Sequence, residues 1–299
     1  MSEEHMTDRD HAPDTAFAER YGPWALVAGA SEGVGAAYAR AMAERGVHVV
    51  LLARRQAVLD ETAAAIRADT GVQTRTVAVD LSRDGAMETI VAATAGLDIG
   101  TVMYCAGADP DFRPFLAGPV DTALAMVQRN CLVPLQVCHH FAAPMQARGS
   151  GAVVLVSSAA GLYGSANMVA YGASKAFDTV MAEALWAELH GDGVDVLALV
   201  LGATDTPALR RLLAARGSLR APDDAALPPV PIPGAMTPEE VVAEAIANLS
   251  NGPTWFAGSR LRESARQLGA LTRSDAVRAM LRHSSGGVMA GGSRREAAR

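Results

Sequence analysis

Tyr171-Gly-Ala-Ser-Lys175 sets a phenol and an amine four residues apart. On a helix that spacing puts both on one face. A phenol ordinarily loses its proton only near pH 10, and an adjacent ammonium stabilises the phenolate. Such a pair can deliver or accept a proton at neutral pH. Lysine and arginine together number 26, and Lys175 is the single lysine among them. Arginine would serve poorly there, because its guanidinium is bulkier and does not give up a proton. Upstream, Ser157-Ser158 closes an apolar run, which places Ser158 to donate to a substrate carbonyl oxygen. Asn130 is an awkward polar residue inside a helical stretch, suited to anchoring a water between backbone and lysine. Singly, each has a plain reading, since such a Tyr/Lys spacing is common on exposed helices and a serine pair often caps the next element. Their order along the chain gives them weight together.

A second motif precedes them. Gly29-Ala-Ser31-Glu32-Gly33-Val34-Gly35 follows an apolar run and opens a helical stretch. Glycines there let the backbone turn and approach a pyrophosphate, while the helix N-terminus supplies N–H donors. The alternative is a purely structural turn. The next apolar run ends at Ala53 and is followed by Arg54 and Arg55. An NAD site carries an acid at that strand end to hold the ribose 2'-hydroxyl. Two guanidinium groups suit a 2'-phosphate instead, so NADP(H) is favoured, with NAD(H) the alternative. Glu32 argues the other way, because a carboxylate repels a phosphate. Asp80 could accept from an adenine amino group or serve as N-cap of the next helix.

These residues need a frame. Strand-like runs at 24–28, 48–53, 73–79, 101–105, 151–157 and 194–201, with a weaker one at 254–257, are mostly continuous and apolar, the pattern of strands covered on both faces. Helical stretches at 34–45, 57–69, 84–94, 121–147 and 171–189 alternate with them. The pattern predicts an α/β fold, a single-domain Rossmann-like doubly wound parallel sheet of about seven strands with helices on both faces. Residues 1–20 read as a flexible arm, 21–283 as the folded domain and 284–299 as a flexible tail. Residues 207–236 interrupt the alternation with a basic amphipathic piece and a proline-rich stretch, expected to form a substrate loop or lid. Thr237 and Glu240 read as the cap of the helix that follows.

Composition narrows the partners. Half of the 299 residues are hydrophobic and 19% are charged, which excludes general disorder. A net charge of −6 disfavours nucleic acid. No apolar run is long enough for a membrane span. The acidic N-terminus lacks the apolar core of a signal peptide. Cys105, Cys131 and Cys138 have no metal-ligand spacing and form an odd set, so no metal is expected and a cytoplasmic location fits.

With VAGASEGVG, YCAG, SSAAG, YGASK and LGATDTP in this order, residues 21–258 resemble the short-chain dehydrogenase/reductase superfamily. Ala28, Tyr104-Cys105 and Leu201 depart from the usual threonine, asparagine pair and proline. The resemblance implies a catalytic tetrad of Asn130, Ser158, Tyr171 and Lys175, with Lys175 also binding the nicotinamide ribose. It implies that Leu81, Cys105, Ala106 and Gly107 border the cofactor, and that Thr204 and Thr206 meet the nicotinamide carboxamide. It further implies a homodimer or homotetramer built through the helices at 121–147 and 171–189. The expected activity is NADP(H)-dependent interconversion of a carbonyl and a secondary alcohol. The substrate is expected to be small and apolar, a ketoacyl, steroid-like or other hydrophobic ketone. Its pocket is expected from 108–119, 160–168 and 207–236, with Phe112, Phe115, Leu162, Met168, Leu209, Leu212 and Leu213. The competing reading is a catalytically silent cofactor-binding regulator. A nucleotide-sugar epimerase or dehydratase is disfavoured, because little chain follows the sixth strand.

Overall fold

The computed structural model describes residues 14–109, 111–219 and 230–284. Seven strands form one sheet: β1 (Trp24–Ala28), β2 (His48–Ala53), β3 (Thr74–Ala78), β4 (Ile99–Tyr104), β5 (Gly151–Ser158), β6 (Val194–Leu201) and β7 (Thr254–Phe256). Their order is β3-β2-β1-β4-β5-β6-β7, and every pairing is parallel. The expected Rossmann-like architecture is therefore observed. The chain reverses its direction of travel across the sheet between β1 and β4, and such a switch point leaves a crevice at the carboxyl ends of the strands.

The helices are α1 (Thr15–Tyr21), α2 (Gly33–Ala43), α3 (Gln56–Thr70), α4 (Ala86–Thr94), α5 (Val120–Val127), α6 (Val133–Arg148), α7 (Val169–Leu189), α8 (Pro207–Ala215), α9 (Pro238–Ala247), α10 (Ser259–Gly269) and α11 (Arg273–Ser284). Alternate strand residues point to opposite faces. Ala25, Val27, Val49 and Leu51 join α2, α3 and α9 in one core. Leu26, Ala28, Val50 and Leu52 join α4, α6 and α7 in the other. Both faces of the inner strands are covered, which is why β1, β2, β4, β5 and β6 read as largely apolar runs, whereas edge strand β3 (TRTVA) is mostly polar and buries only Val77.

Four expectations are corrected. Residues 15–20 are not loose, because α1 is held at its end by Arg20 and Tyr21, both donating to Asp195 on β6, Tyr21 at 2.7 Å. The single helix expected over 121–147 is α5 and α6 joined by a π-turn at Gln128–Leu132. Asp80 does not cap α4, whose N-cap is Gly85. After β7, the chain continues as α10 and α11, which no motif had marked. Ser284, expected to begin a tail, ends α11, and 285–299 lie outside the described residues. The cap at Thr237 and Glu240 is a reciprocal capping box.

Candidate active site

The turn after β1 has no room for a side chain at Gly35. A Cβ at Gly35 would lie 2.2 Å from the Gly29 carbonyl oxygen, so only glycine lets α2 start this close to the strand. Gly35 itself sits behind the crevice wall. Gly29, Ser31, Glu32, Gly33 and Val34 line the crevice, a space of about 940 Å³. The N-terminus of α2 opens onto it, with no side-chain cap from Glu32, and the first N–H groups of a helix have no partner within the helix. This cradle, with the arginines beside it, fits a dinucleotide.

Arg54, Arg55, Asp80 and Leu81 form the far end of the crevice. Arg55 Nη2 donates to Glu32 Oε2 at 2.9 Å. The acid that argued against a phosphate is thus already paired with a cation. Asp80 Oδ1 accepts from the Ser82 amide at 3.0 Å and the Ser82 hydroxyl at 2.6 Å. Burial pushes the Asp80 carboxyl up, but these bonds and the charges of Arg54 and Arg83 together outweigh it and hold it below the usual range. It stands ionised as an acceptor.

At the other end, β5 delivers two serines to different tasks. Ser157 is buried, donating to the Lys175 carbonyl at 2.7 Å and sharing a bond with Thr179. Ser158, the next residue on the alternating strand, faces the crevice. Its Oγ accepts from the Ala160 amide at 3.2 Å, which leaves its own proton available. Tyr171 and Lys175 come from α7 and line the same space. Lys175 is 4% exposed, and its Nζ donates to Val156 O at 2.8 Å and to Asp178 Oδ2 at 2.9 Å. Burial pushes this amine down, but the charge and hydrogen bond of Asp178, with the Tyr171 phenol and the Cys105 thiol, together outweigh it, so Lys175 is an ammonium held above its ordinary range.

Asn130 is fully buried and does not line the crevice. It sits in the π-turn behind Gly107, donating to Gly107 O at 3.2 Å and Ser174 Oγ at 2.9 Å. A Cβ on Gly107 would come within 3.0 Å of both Asn130 Oδ1 and Lys175 Nζ, so glycine separates the two groups. Tyr104, one of the departures from the family pattern, donates its hydroxyl to the Arg129 carbonyl in that π-turn at 2.5 Å. Cys105, Ala106 and Gly107 continue as crevice wall. Burial pushes the Cys105 thiol up to about 11, so it is a neutral wall and not a nucleophile.

The space beyond Tyr171 is apolar. Phe112, Met168, Leu209, Leu212 and Leu213 line it, together with Ile232 and Met280. Phe115 and Leu162, expected there, do not. The Phe112 ring meets Tyr171 edge-on, with centroids 5.5 Å apart. Thr204 and Thr206 are on the crevice, Thr206 as N-cap of α8. Four residues here were missed from sequence. Asp178 looked like an ordinary helix acid, although its position three after Lys175 was a usable signal. Arg129 lines the crevice beside Ala108, Arg211 reaches Glu32 from α8, and Met280 arrives from an unanticipated helix. Of the loop expected over 207–236, residues 220–229 lie outside the described residues.

The comparisons agree with this frame. A model of the family described as short chain dehydrogenase matches residues 23–217. A 7beta-hydroxysteroid dehydrogenase of Collinsella aerofaciens is 39% identical over 246 residues, covering 82% of this chain and 90% of that protein. A structure from a study of 7beta-hydroxysteroid dehydrogenase stereoselectivity superposes with a TM-score of 0.77 at 36% identity, covering 88% of this chain and 98% of that one. A short-chain dehydrogenase from Sphingobium yanoikuyae in complex with NADPH gives 0.69 at 27% identity, covering 92% and 98%. The chain belongs to the short-chain dehydrogenase family, oxidoreductases that bind NAD(P) and act on CH–OH groups.

Proposed function

We propose that the protein is an NADP(H)-dependent dehydrogenase of a bulky apolar alcohol, steroid-like in shape. One observation carries the reading. Ser158, Tyr171 and Lys175 share a single crevice with Arg54 and Arg55 at one end and the Phe112, Met168 and Leu212 wall at the other. The hydroxysteroid dehydrogenases among its relatives support a fused-ring substrate.

The bound nicotinamide supplies the hydride in reduction and accepts it in oxidation. The chain's own residues handle the oxygen. Ser158 donates to the substrate oxygen with the proton its amide contact leaves available. Tyr171 gives that oxygen its proton in reduction and removes it in oxidation. Lys175 directs two of its three N–H donors at Val156 and Asp178, and the third is left for a ribose hydroxyl. Asn130 positions Gly107 and Ser174 from behind. Glu32, Asp80, Leu81, Cys105, Ala106, Thr204 and Thr206 border the cofactor, while Arg54 and Arg55 hold the 2'-phosphate. The α8 wall covers the apolar substrate.

Assembly follows from a second surface. Leu124, Val127, Leu135, Phe177 and Val180 are exposed on α5, α6 and α7. A homodimer or homotetramer would cover them. The three unpaired thiols fit a reducing compartment, the cytoplasm. Among the described residues, no helix is long and apolar enough to cross a membrane.

The test is a panel of hydroxysteroids, other bulky secondary alcohols and short alcohols, each with NADP+ and NAD+. Turnover of the bulky compounds with NADP+ is expected. Activity confined to short polar alcohols, or to NAD+, would refute the reading.

A further inference from the structure

Glu32 is the residue that a phosphate site should exclude, yet it lies between two cations. Its Oε2 accepts from Arg55 Nη2 at 2.9 Å and from Arg211 Nη1 at 3.1 Å, and its Oε1 pairs with Arg211 Nη2. Arg211 therefore holds both carboxylate oxygens and Arg55 only one. The carboxylate is a quarter exposed, while both guanidinium groups are more than half exposed. Arg211, ahead of Arg55, is what keeps the Glu32 carboxyl below its usual range. Arg211 stands on α8, and Leu209, Leu212 and Leu213 of the same helix face the crevice.

We propose that Arg211 is a positioning residue for cofactor selection: it neutralises Glu32 and so frees Arg55 for the 2'-phosphate. The proposal rests on the NADP(H) reading above and names the pair that permits it. A 2'-phosphate brings nearly two negative charges beside this carboxylate. With Arg211 across both oxygens, Glu32 stays paired when Arg55 turns to the phosphate. Without Arg211, the phosphate would have to remove the carboxylate's remaining partner. A cofactor lacking the phosphate makes no such demand. The same ion pair draws α8, and with it the apolar wall, against the glycine turn.

The experiment titrates NADPH and NADH into the wild type, Arg211→Gln, Glu32→Gln and the double variant, followed by tryptophan fluorescence. Arg211 is exposed, so its replacement leaves the fold intact. Arg211→Gln is expected to weaken NADPH roughly tenfold or more, the scale of a charge-assisted contact. It should weaken NADH by less than about fivefold, the scale of an exposed ion pair. In the double variant most of the NADPH affinity should return, because no carboxylate is left to neutralise. An undiminished loss in the double variant would mean that Arg211 touches the phosphate itself, and would overturn the relay through Glu32. Equal losses for both cofactors, or none for either, would overturn it too. A wild type that binds NADH more tightly than NADPH would instead defeat the NADP(H) reading.

Discussion

Lys175 Nζ lies 2.9 Å from Asp178 Oδ2, and the two side chains are 5% and 3% exposed. They stand three residues apart on α7, so the chain's one lysine enters the interior with its counter-charge on the same helix. Breaking a buried pair by removing one partner leaves an uncompensated charge. Asp178→Asn should therefore lower stability by roughly 3 kcal/mol at pH 7. The folded-state value of Lys175 is raised, so its contribution is full below the unfolded value near 10.4 and is lost as pH rises through the folded one. Urea unfolding at rising pH should show the gap between wild type and variant narrowing in strongly alkaline solution. A gap independent of pH would contradict the pairing.

The same burial makes Lys175 a clean chemical reporter. Amine reagents need a neutral, well-exposed nitrogen, and this one is an ammonium 4% exposed and open only on its crevice side. Native protein at mildly alkaline pH should take one label, at the amino terminus, and urea-unfolded protein two. Mass spectrometry of a digest reads this directly. Rapid native labelling of Lys175 would mean that the pair opens freely.

Phe112 has φ of +45°, a conformation that non-glycine residues adopt reluctantly. Arg216 holds it there, donating to the Asp111 carbonyl at 2.6 Å with its guanidinium 5.8 Å from the Phe112 ring. The ring's edge contact with Tyr171 makes it a wall for substrate. Phe112→Ala should raise KM for a bulky ketone by a factor worth about 1.5 kcal/mol, with KM for NADPH unchanged. Equal rises for both would place Phe112 outside the substrate wall.

The exposed apolar faces of α6 and α7 give a further expectation. Leu135 and Val180 are 48% and 64% exposed. Replacing both with aspartate should convert an oligomer into a monomer in light scattering, without change in the far-ultraviolet circular dichroism. A monomeric wild type would refute the assembly.

The inner strands were legible because a sheet covered on both faces demands largely apolar runs. Tyr171, Ser158 and the glycine turn were legible because short-range spacing alone puts each at the end of its element. What escaped depended on distance along the chain. α1 is a seven-residue helix whose anchor, Asp195, lies far away on β6. Glu32 read as a misplaced acid because its partner Arg211 is 179 residues away. The π-turn that moves Asn130 behind Gly107 has no local signature, and it makes Asn130 a support for the crevice rather than part of its surface. Asp178 was visible but ambiguous, since a helix acid is usually solvated and only packing shows that this one is buried.

The central claim is that Tyr171 moves the proton on the substrate oxygen while the remaining residues bind and orient. Single-turnover reduction of a bulky ketone by Tyr171→Phe, with NADPH affinity measured in parallel, tests it most directly. Loss of the acid should slow the chemical step by roughly 10³-fold, within the range for general acid catalysis. NADPH affinity should stay within about threefold of wild type, a few tenths of a kcal/mol. A variant that turns over near the wild-type rate would contradict the account.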